Sequence, residues 1–220
     1  MPKRLLLALT ALPLLLAGCG DDPDPSAADD PPADPTCEYV DAGEPARDVD
    51  KPAAEPTETG EVEVTIRTSR GDLPATLDAA SAPCTVNSFL SLADQGYYDD
   101  TPCPRIADSP TFGILQCGDP TGTGAGGPGY TFDDELSGDE TYPAGTLAMA
   151  NRGPGTASNG SQFFVVFKDT QLAPDYTVFG TIDPAGVKVV AELAAAGNDG
   201  SNPAGGGTPN EPIDIEAVER

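Results

Sequence analysis

The chain has 220 residues and carries 36 Asp and Glu against 11 Lys and Arg, which gives a formal net charge of −25 at neutral pH. This balance opposes nucleic-acid binding, which depends on neutralising phosphates, and it equally opposes electrostatic attachment to anionic lipid. The sequence contains no His, which excludes Ser-His-Asp and Cys-His catalysis and every His-containing metal centre.

The first residues have the pattern of an export signal. Lys3-Arg4 forms a short positive region, and the apolar run Leu5–Leu16 that follows is too short to span a bilayer as a helix. The run ends in Leu16-Ala17-Gly18-Cys19, which resembles a bacterial lipobox. We therefore predict a signal peptide over residues 1–18 and acylation of Cys19, with palmitate as a typical acyl group. The exported protein would then be anchored to the outer face of the cell membrane. The alternative is an ordinary secretory signal followed by a chance Cys.

The segment after Cys19 has the composition of a disordered linker. Between Gly20 and Gly60 there are 13 acidic residues, 8 prolines and 2 basic residues, with almost no large apolar side chain. Such a segment cannot bury enough surface to offset chain entropy, and its like charges repel. We predict an extended, disordered acidic tether over residues 19–60, followed by one domain over residues 61–220. A disulfide from Cys37 to the domain would shorten the free tether.

Four further cysteines remain besides the predicted lipidation site. They are Cys37, Cys84, Cys103 and Cys117. An even number in an exported chain favours two disulfides, for which three connectivities are possible. Their spacing does not resemble a zinc site, and no His is present to complete one. We predict two disulfides with the pairing left open, and we expect neither a metal nor a cofactor.

The predicted domain begins at Glu61 with two strands that alternate apolar and polar residues. Proline near the start and glycine just past the end mark two helices, one between Pro83 and Gly96 and one from Pro184 to Gly197. Further short strands are predicted at 103–107, 112–117, 146–150, 162–167, 177–182 and 213–215, with a glycine-rich loop at 118–130. Many short strands with two separated helices favour a mainly β fold, a closed antiparallel barrel capped by two α-helices.

Five blocks of this domain resemble the cyclophilin family of peptidyl-prolyl cis–trans isomerases (rotamases), and they occur in the family's order. The blocks are Pro102-Cys103-Pro104-Arg105-Ile106, Leu115-Gln116-Cys117-Gly118-Asp119, Gly122-Thr123-Gly124, the pair Leu147-Ala148-Met149-Ala150-Asn151 and Gly160-Ser161-Gln162-Phe163-Phe164-Val165, and Thr177-Val178-Phe179-Gly180. Each block alone is weak: the apolar run at 162–167 would by itself be a buried strand. Their collinearity over about residues 61–218 makes chance unlikely.

The resemblance implies a catalytic role for three residues and a substrate-binding role for others. Arg105 would place a permanent cation against the prolyl nitrogen, Gln116 would orient it, and Phe164 would form the floor of the proline pocket. Gln162 and Asn151 would hydrogen-bond the peptide chain. The remaining residues implied to line the substrate site are Phe112, Ile114, Ala150, Gln171, Leu172 and Tyr176.

The sequence departs from the family pattern in the wall of the pocket. Positions that in many members hold His, Met, Trp and His carry Pro104, Ile114, Gln171 and Tyr176 here. The pocket Phe is either Phe112 or absent, with Gly113 in its place. We therefore expect an isomerase whose pocket wall is altered.

Two functions from different classes follow from these features. The first is an isomerase that accelerates the folding of exported proteins, whose partners are proline-containing polypeptides. The second is a non-catalytic chaperone module at the cell surface that holds proline peptides in the same groove. We expect a monomer that attaches to the membrane through Cys19 and does not bind nucleic acid.

Overall fold

The computed structural model of the protein describes residues 35–220. Eleven strands and two helices occur in this part of the chain. The strands are β1 (Val40–Asp41), β2 (Glu61–Thr68), β3 (Leu73–Asp78), β4 (Thr101–Pro102), β5 (Arg105–Ser109), β6 (Phe112–Cys117), β7 (Tyr130–Thr131), β8 (Thr146–Met149), β9 (Phe163–Lys168), β10 (Val178–Ile182) and β11 (Asp214–Glu219), and the helices are α1 (Pro83–Asp94) and α2 (Pro184–Ala194). The predicted strands and helices are confirmed, whereas the two-residue strands β1, β4 and β7 were not predicted.

Nine strands form one curled antiparallel sheet, in the order β4-β11-β2-β3-β10-β8-β9-β6-β5. The two end strands, β4 and β5, are consecutive in the chain and are joined only by Cys103-Pro104. Around this link the Cys103 N–H donates to Ile213 O (3.0 Å) and the Ile106 N–H to Gly207 O (2.8 Å). The predicted antiparallel barrel is thus confirmed in a curled form, in which a short link brings the two ends of the sheet together.

Aromatic side chains from a helix and several strands fill the interior of the barrel. The Phe89 ring of α1 lies 5.1–5.5 Å from the rings of Tyr98, Phe163 and Phe179. The first turn of α1 is capped from a distant loop, because the Cys84 and Thr85 N–H groups donate to the Glu135 carboxylate at 2.9 and 2.8 Å. A carboxylate at this end of a helix also interacts favourably with the helix dipole.

Strands β6, β8 and β9 carry apolar side chains on both faces. Leu115, Val165 and Leu147 are directly opposite one another in the sheet and point into the interior. Their neighbours on the other face form a second apolar cluster, here called the outer cluster, made of Ala107, Ile114, Tyr142, Ala148, Phe164 and Val166. Burial on both faces explains why these strands are continuous apolar runs in the sequence rather than alternating ones.

The predicted disordered tether is wrong for residues 35–60, which pack on the barrel. Cys37 is only 5% exposed and forms a disulfide with Cys84 at the start of α1. Strand β1 pairs with β7. A covalent link and a short ladder therefore override a composition that favours disorder. Residues 1–34, including the predicted signal peptide and Cys19, lie outside the described residues.

Residues 37–56, here called the strap, contact the barrel along their length. The Tyr39 ring packs edge-on at 5.4 Å from the Tyr130 ring, and its hydroxyl donates to Cys84 O at 2.8 Å. The Arg47 guanidinium donates to three carbonyl oxygens just beyond α1, those of Gly96, Tyr97 and Asp99, at 2.7, 3.1 and 2.8 Å. The second disulfide, Cys103–Cys117, ties the β4–β5 link to the end of β6, which settles the pairing that the sequence left open.

Asp119 organises the glycine-rich loop that follows β6. Its buried carboxylate accepts seven hydrogen bonds, from the N–H groups of Thr121, Thr123, Gly124, Ala125 and Gly126 and from the Thr121 and Thr123 hydroxyls. Burial acts to raise the pKa of Asp119, but the hydrogen bonds from Thr121, Gly126 and Gly124 outweigh it, so that the pKa is lowered. A Cβ at Gly126 would collide with the Asp119 carboxylate, so only glycine fits there.

We predict that the strap loosens when its disulfide is removed. In a Cys37→Ser, Cys84→Ser double variant the Ala42 and Ala46 amides, which donate to Gly129 O and Gly127 O, should exchange with solvent deuterium at least about tenfold faster. The reason is that the disulfide closes a loop with a sequence separation of 47, worth about 4 kcal/mol in the chain-entropy model. The Val165 amide in β9 should keep its protection.

The matched control is a Cys103→Ser, Cys117→Ser variant, which removes a disulfide of the barrel and leaves that of the strap. Unchanged protection of Ala42 and Ala46 in the strap variant would show that the disulfide does not hold this segment.

We predict that Asp119→Asn lowers the free energy of unfolding by about 2–3 kcal/mol at pH 7, because an amide cannot accept all the hydrogen bonds of the carboxylate. The lowered folded-state pKa means that this stabilisation is fully present above the unfolded pKa of about 3.9 and is lost as the pH falls through the folded-state pKa. Urea unfolding at several pH values measures both effects. Asp139→Asn, at an exposed position, is the control. A difference that grows below pH 4 would contradict the sign.

Candidate active site

Three residues singled out by the sequence lie in one row across the sheet. Arg105 on β5 is directly opposite Gln116 on β6, and Gln116 is directly opposite Phe164 on β9. Ala148 on β8 continues the row. Residues paired in this way project to the same face of a sheet. The strand register alone therefore brings a cation, an amide and an aromatic ring together on the outer face of the barrel.

Hydrogen bonds between side chains connect this row to the glycine-rich loop. The Arg105 Nη1 donates to Gln116 Oε1 at 3.1 Å, and Gln116 Nε2 donates to Gln162 Oε1 at 2.9 Å. Gln162 Nε2 in turn donates to Gly126 O at 2.9 Å. Because each amide both accepts and donates, the orientation of Gln116 and Gln162 is fixed by their neighbours. The last acceptor in this series of hydrogen bonds, Gly126 O, belongs to the loop that Asp119 holds.

Arg105 is a half-buried cation held by uncharged groups. Its Nε donates to Gly205 O and its Nη2 to Ala204 O, both at 3.0 Å. Within residues 35–220 no carboxylate lies within 4.0 Å of its guanidinium, although the chain is strongly acidic. Burial lowers the pKa of Arg105, and the nearby Tyr176 partly offsets this. A guanidinium nevertheless keeps its charge at any working pH, so Arg105 acts through charge and hydrogen bonding and not through proton transfer.

The outer cluster lies beside this cation, because Phe112 packs on the cluster and its ring centroid is 5.7 Å from the Arg105 Cζ. Phe164 is 3% exposed, and its ring lies 5.5 Å from the Tyr176 ring in an edge-to-face arrangement. Period-two alternation along β6 places Phe112, Ile114 and Gln116 on the same face. The partly buried residues that pack on the cluster are Phe112, Ala150, Leu172, Tyr176 and Val178.

Phe112, one of the two alternatives for the pocket Phe, lies next to Arg105. Its ring packs on the outer cluster, with the Arg105 Cζ 5.7 Å from the ring centroid, within the range of a cation–π contact. Gly113 is buried on the opposite face, where a Cβ would collide with the Lys168 side chain. The structure therefore places an aromatic ring, and not only Gly113, on this part of the sheet, and the assignment of Phe112 to the pocket stays a prediction.

Two residues predicted to contact substrate are placed differently from the others. Gln171 is exposed, lies outside the outer cluster and lines a neighbouring depression beside Pro110 and Thr111. The Asn151 side-chain amide donates to Asp134 Oδ1 at 3.2 Å and to Asp175 O at 2.7 Å. Both side-chain N–H groups of Asn151 are thus engaged, so a contact from Asn151 to a bound peptide would come from its backbone, from the second lone pair of its Oδ1 or by replacing one of these bonds.

Tyr142 is a site residue that the sequence analysis missed. It is 2% exposed in the outer cluster, with its ring 6.3 Å from that of Phe164. Its hydroxyl accepts from the Tyr176 N–H at 3.0 Å and lies 3.2 Å from Ala173 O. These two contacts hold residues 173–176 in place, including Tyr176, which packs on the outer cluster. Burial raises the pKa of Tyr142. No periodic pattern surrounds this residue in the sequence, so its position follows only from the fold.

No group of three or more His, Cys, Asp or Glu side chains within residues 35–220 is arranged to hold a metal ion. No helix in this range combines the length and the apolar composition needed to cross a membrane.

Comparison with known proteins identifies relatives of this site and fold. The model of the family described as cyclophilin type peptidyl-prolyl cis-trans isomerase/CLD matches residues 63–220. A protein of Mycobacterium tuberculosis named "Probable peptidyl-prolyl cis-trans isomerase B" is 46% identical over 169 residues, which cover 71% of this chain and 53% of that protein. Peptidyl-prolyl cis-trans isomerase A of the same organism is 40% identical over 173 residues, covering 70% of this chain and 89% of that protein. The chain thus spans only about half of the length of the first of these relatives.

Solved structures show the same relationship. A cyclophilin type peptidyl-prolyl cis-trans isomerase of Cryptosporidium parvum is 32% identical and superposes with a TM-score of 0.61, covering 72% of this chain and 96% of that one. A second crystal structure of that protein, in the presence of the dipeptide Ala-Pro, superposes with a TM-score of 0.60 and covers 72% and 98%. From its strands, its row of site residues and these relatives, the chain belongs to the family of cyclophilin-type peptidyl-prolyl cis–trans isomerases.

Proposed function

We propose that this protein is a peptidyl-prolyl cis–trans isomerase that accelerates the folding of exported proteins. One observation carries the proposal: within residues 35–220 the Arg105 cation has no carboxylate partner, and it lies in register with Gln116 and with Phe164 of the outer cluster. Its hydrogen bonds go to uncharged acceptors, on Gln116, Gly205 and Ala204, so that no carboxylate in the described part of the chain neutralises the charge it can present to a ligand.

The chemistry of the reaction explains why such a cation is useful. Rotation about an X–Pro bond faces a barrier of roughly 18–20 kcal/mol because the amide C–N bond has partial double-bond character. A positive group beside the prolyl nitrogen favours its pyramidal, non-conjugated form, in which the lone pair is localised. Arg105 thus binds the twisted state more strongly than the planar one, and this difference lowers the barrier. No base is required, in agreement with a sequence that lacks His.

The surroundings of Arg105 suit a proline-containing peptide as substrate. Phe164 belongs to the outer apolar cluster, with Phe112 and Leu172 packed against it, and a proline ring is an apolar group that can pack on such a cluster. Gln116 and Gln162 line an adjoining cavity and offer amide groups to a peptide backbone. The crystal structure of the Cryptosporidium parvum relative in the presence of Ala-Pro supports this class of ligand.

We also propose that the protein is exported and anchored by a lipid on Cys19. Leu16-Ala17-Gly18-Cys19 supports this proposal, as do the two disulfides, which persist in oxidising compartments. Mass spectrometry of the mature protein from its native membrane should find Cys19 at the N-terminus with added acyl chains. A Cys19→Ser variant should be released from the membrane fraction. A mature N-terminus elsewhere, without lipid, would contradict the anchor.

The proposed activity predicts the effect of removing the cation. Arg105→Ala should lower kcat/KM on a proline tetrapeptide by at least about tenfold, or roughly 1.4 kcal/mol of transition-state stabilisation, in a chymotrypsin-coupled assay. Arg105→Lys keeps the charge but loses the fork that binds Gln116 and two carbonyls, so we expect an intermediate rate.

Arg67→Ala is the matched control. Arg67 lies on strand β2, is exposed and forms an ion pair with Glu219. Full activity of Arg105→Ala would reject the proposed mechanism. A wild-type protein that binds the tetrapeptide without accelerating its isomerisation would instead favour the non-catalytic chaperone module.

A further inference from the structure

The strap forms one wall of a cavity beside the candidate active site. The cavity has a volume of about 270 Å³ and contacts Ala42, Glu44 and Ala46 of the strap. The strap precedes residues 63–220, the part of the chain that the cyclophilin-type family model matches. This wall therefore comes from residues outside the part of the chain that the family model matches.

The cavity adjoins the row of site residues. Gln116 and Gln162, which connect Arg105 to Gly126 through hydrogen bonds, also line the cavity. An extended peptide advances about 3.3 Å per residue. Ala150 packs on the outer cluster and also lines the cavity, so a peptide with its proline against the outer cluster would carry a side chain a few residues away towards the cavity.

The lining of the cavity combines small residues with two opposite charges. Much of its wall is glycine and alanine, including Ala42, Ala46 and Ala150, which leaves room for a side chain of the peptide. Its two charged lining residues are Glu44, from the strap, and Arg152, from the barrel. Within the described range, neither Glu44 nor Arg152 takes part in an ion pair. Both charges are thus available to a ligand.

Glu44 is held in place from both sides. Two residues before it, the Ala42 N–H donates to Gly129 O at 2.8 Å, and two residues after it the Ala46 N–H donates to Gly127 O at 2.8 Å. The acceptor residues Gly127 and Gly129 also line the cavity. The disulfide between Cys37 and Cys84 fastens the strap upstream of these bonds. The backbone around Glu44 is therefore a fixed part of the wall.

We propose that the strap selects client segments by charge: Glu44 offsets Arg152, so that the cavity accepts a basic side chain near the proline. Without Glu44, Arg152 alone would favour an acidic side chain. This inference rests on the proposed function, because it assigns to the same groove the chemical class of peptide that it binds. The strap is in that case a specificity element and not a spacer.

The test is a charge series of peptides. Each carries one proline and either Lys or Glu at one of the positions two or three residues before or after it. Both kcat/KM and the dissociation constant, from fluorescence anisotropy of labelled peptide, are measured for each. Glu44→Gln should lower the Lys-to-Glu ratio roughly threefold at one or more positions, as expected for a partly exposed ion pair, and Arg152→Gln should raise it. The effect should weaken at high salt.

The matched control is Glu55→Gln, which removes the same charge from an exposed strap residue that does not line the cavity. Its ratio should equal that of the wild type. The Cys37→Ser, Cys84→Ser variant should change the ratio in the same direction as Glu44→Gln.

Two results would overturn the inference. The first is a Lys-to-Glu ratio that Glu44→Gln leaves unchanged at all four positions, in binding as well as in catalysis. The second is an equal change with Glu55→Gln, which would indicate a general effect of net charge. The binding constants decide the matter even if the wild-type protein proves to be no isomerase, so failure of the proposed function and failure of this inference are distinguishable.

Discussion

The candidate active site depends on the register of three adjacent strands. Because Arg105, Gln116 and Phe164 are direct cross-strand partners, their side chains project from one face at the spacing of the sheet. A shift of one residue in this register would move each of these side chains to the interior of the barrel. The packed interior, with Leu115 and Val165 opposite one another, therefore fixes the geometry of the outer face.

The same strands serve two apolar clusters, which separates stability from function. The interior cluster contains residues of α1 and most of the large aromatic rings, whereas the outer cluster is smaller and lies beside Arg105. Asp119 holds the glycine-rich loop, and the two disulfides hold the strap and the β4–β5 link. The site is thus preorganised by disulfides and hydrogen bonds of residues outside the outer cluster. Electrostatic stabilisation of a transition state requires such preorganisation.

Much of the barrel and the central row of the site could be predicted from the sequence. The alternation of strands β2 and β3 and the collinear blocks around Arg105, Gln116 and Phe164 carry local information, and the structure places these elements as expected. The strap could not be predicted, because its acidic, proline-rich composition favours disorder and only its disulfide and a few backbone bonds hold it. Tyr142 and the outlying position of Gln171 depend on tertiary packing, for which single residues between turns leave no periodic signal.

The central claim is that the charge of Arg105 acts on the twisted amide and not on the bound ground state. NMR exchange spectroscopy on an Ala-Pro peptide bound to the protein measures the cis–trans rate and the affinity separately. With Arg105→Gln, which removes the charge but keeps hydrogen-bond donors, the account predicts that the bound-state exchange rate falls at least about tenfold while the dissociation constant changes by less than about twofold. An exchange rate equal to that of the wild type, with or without a loss of affinity, would contradict it.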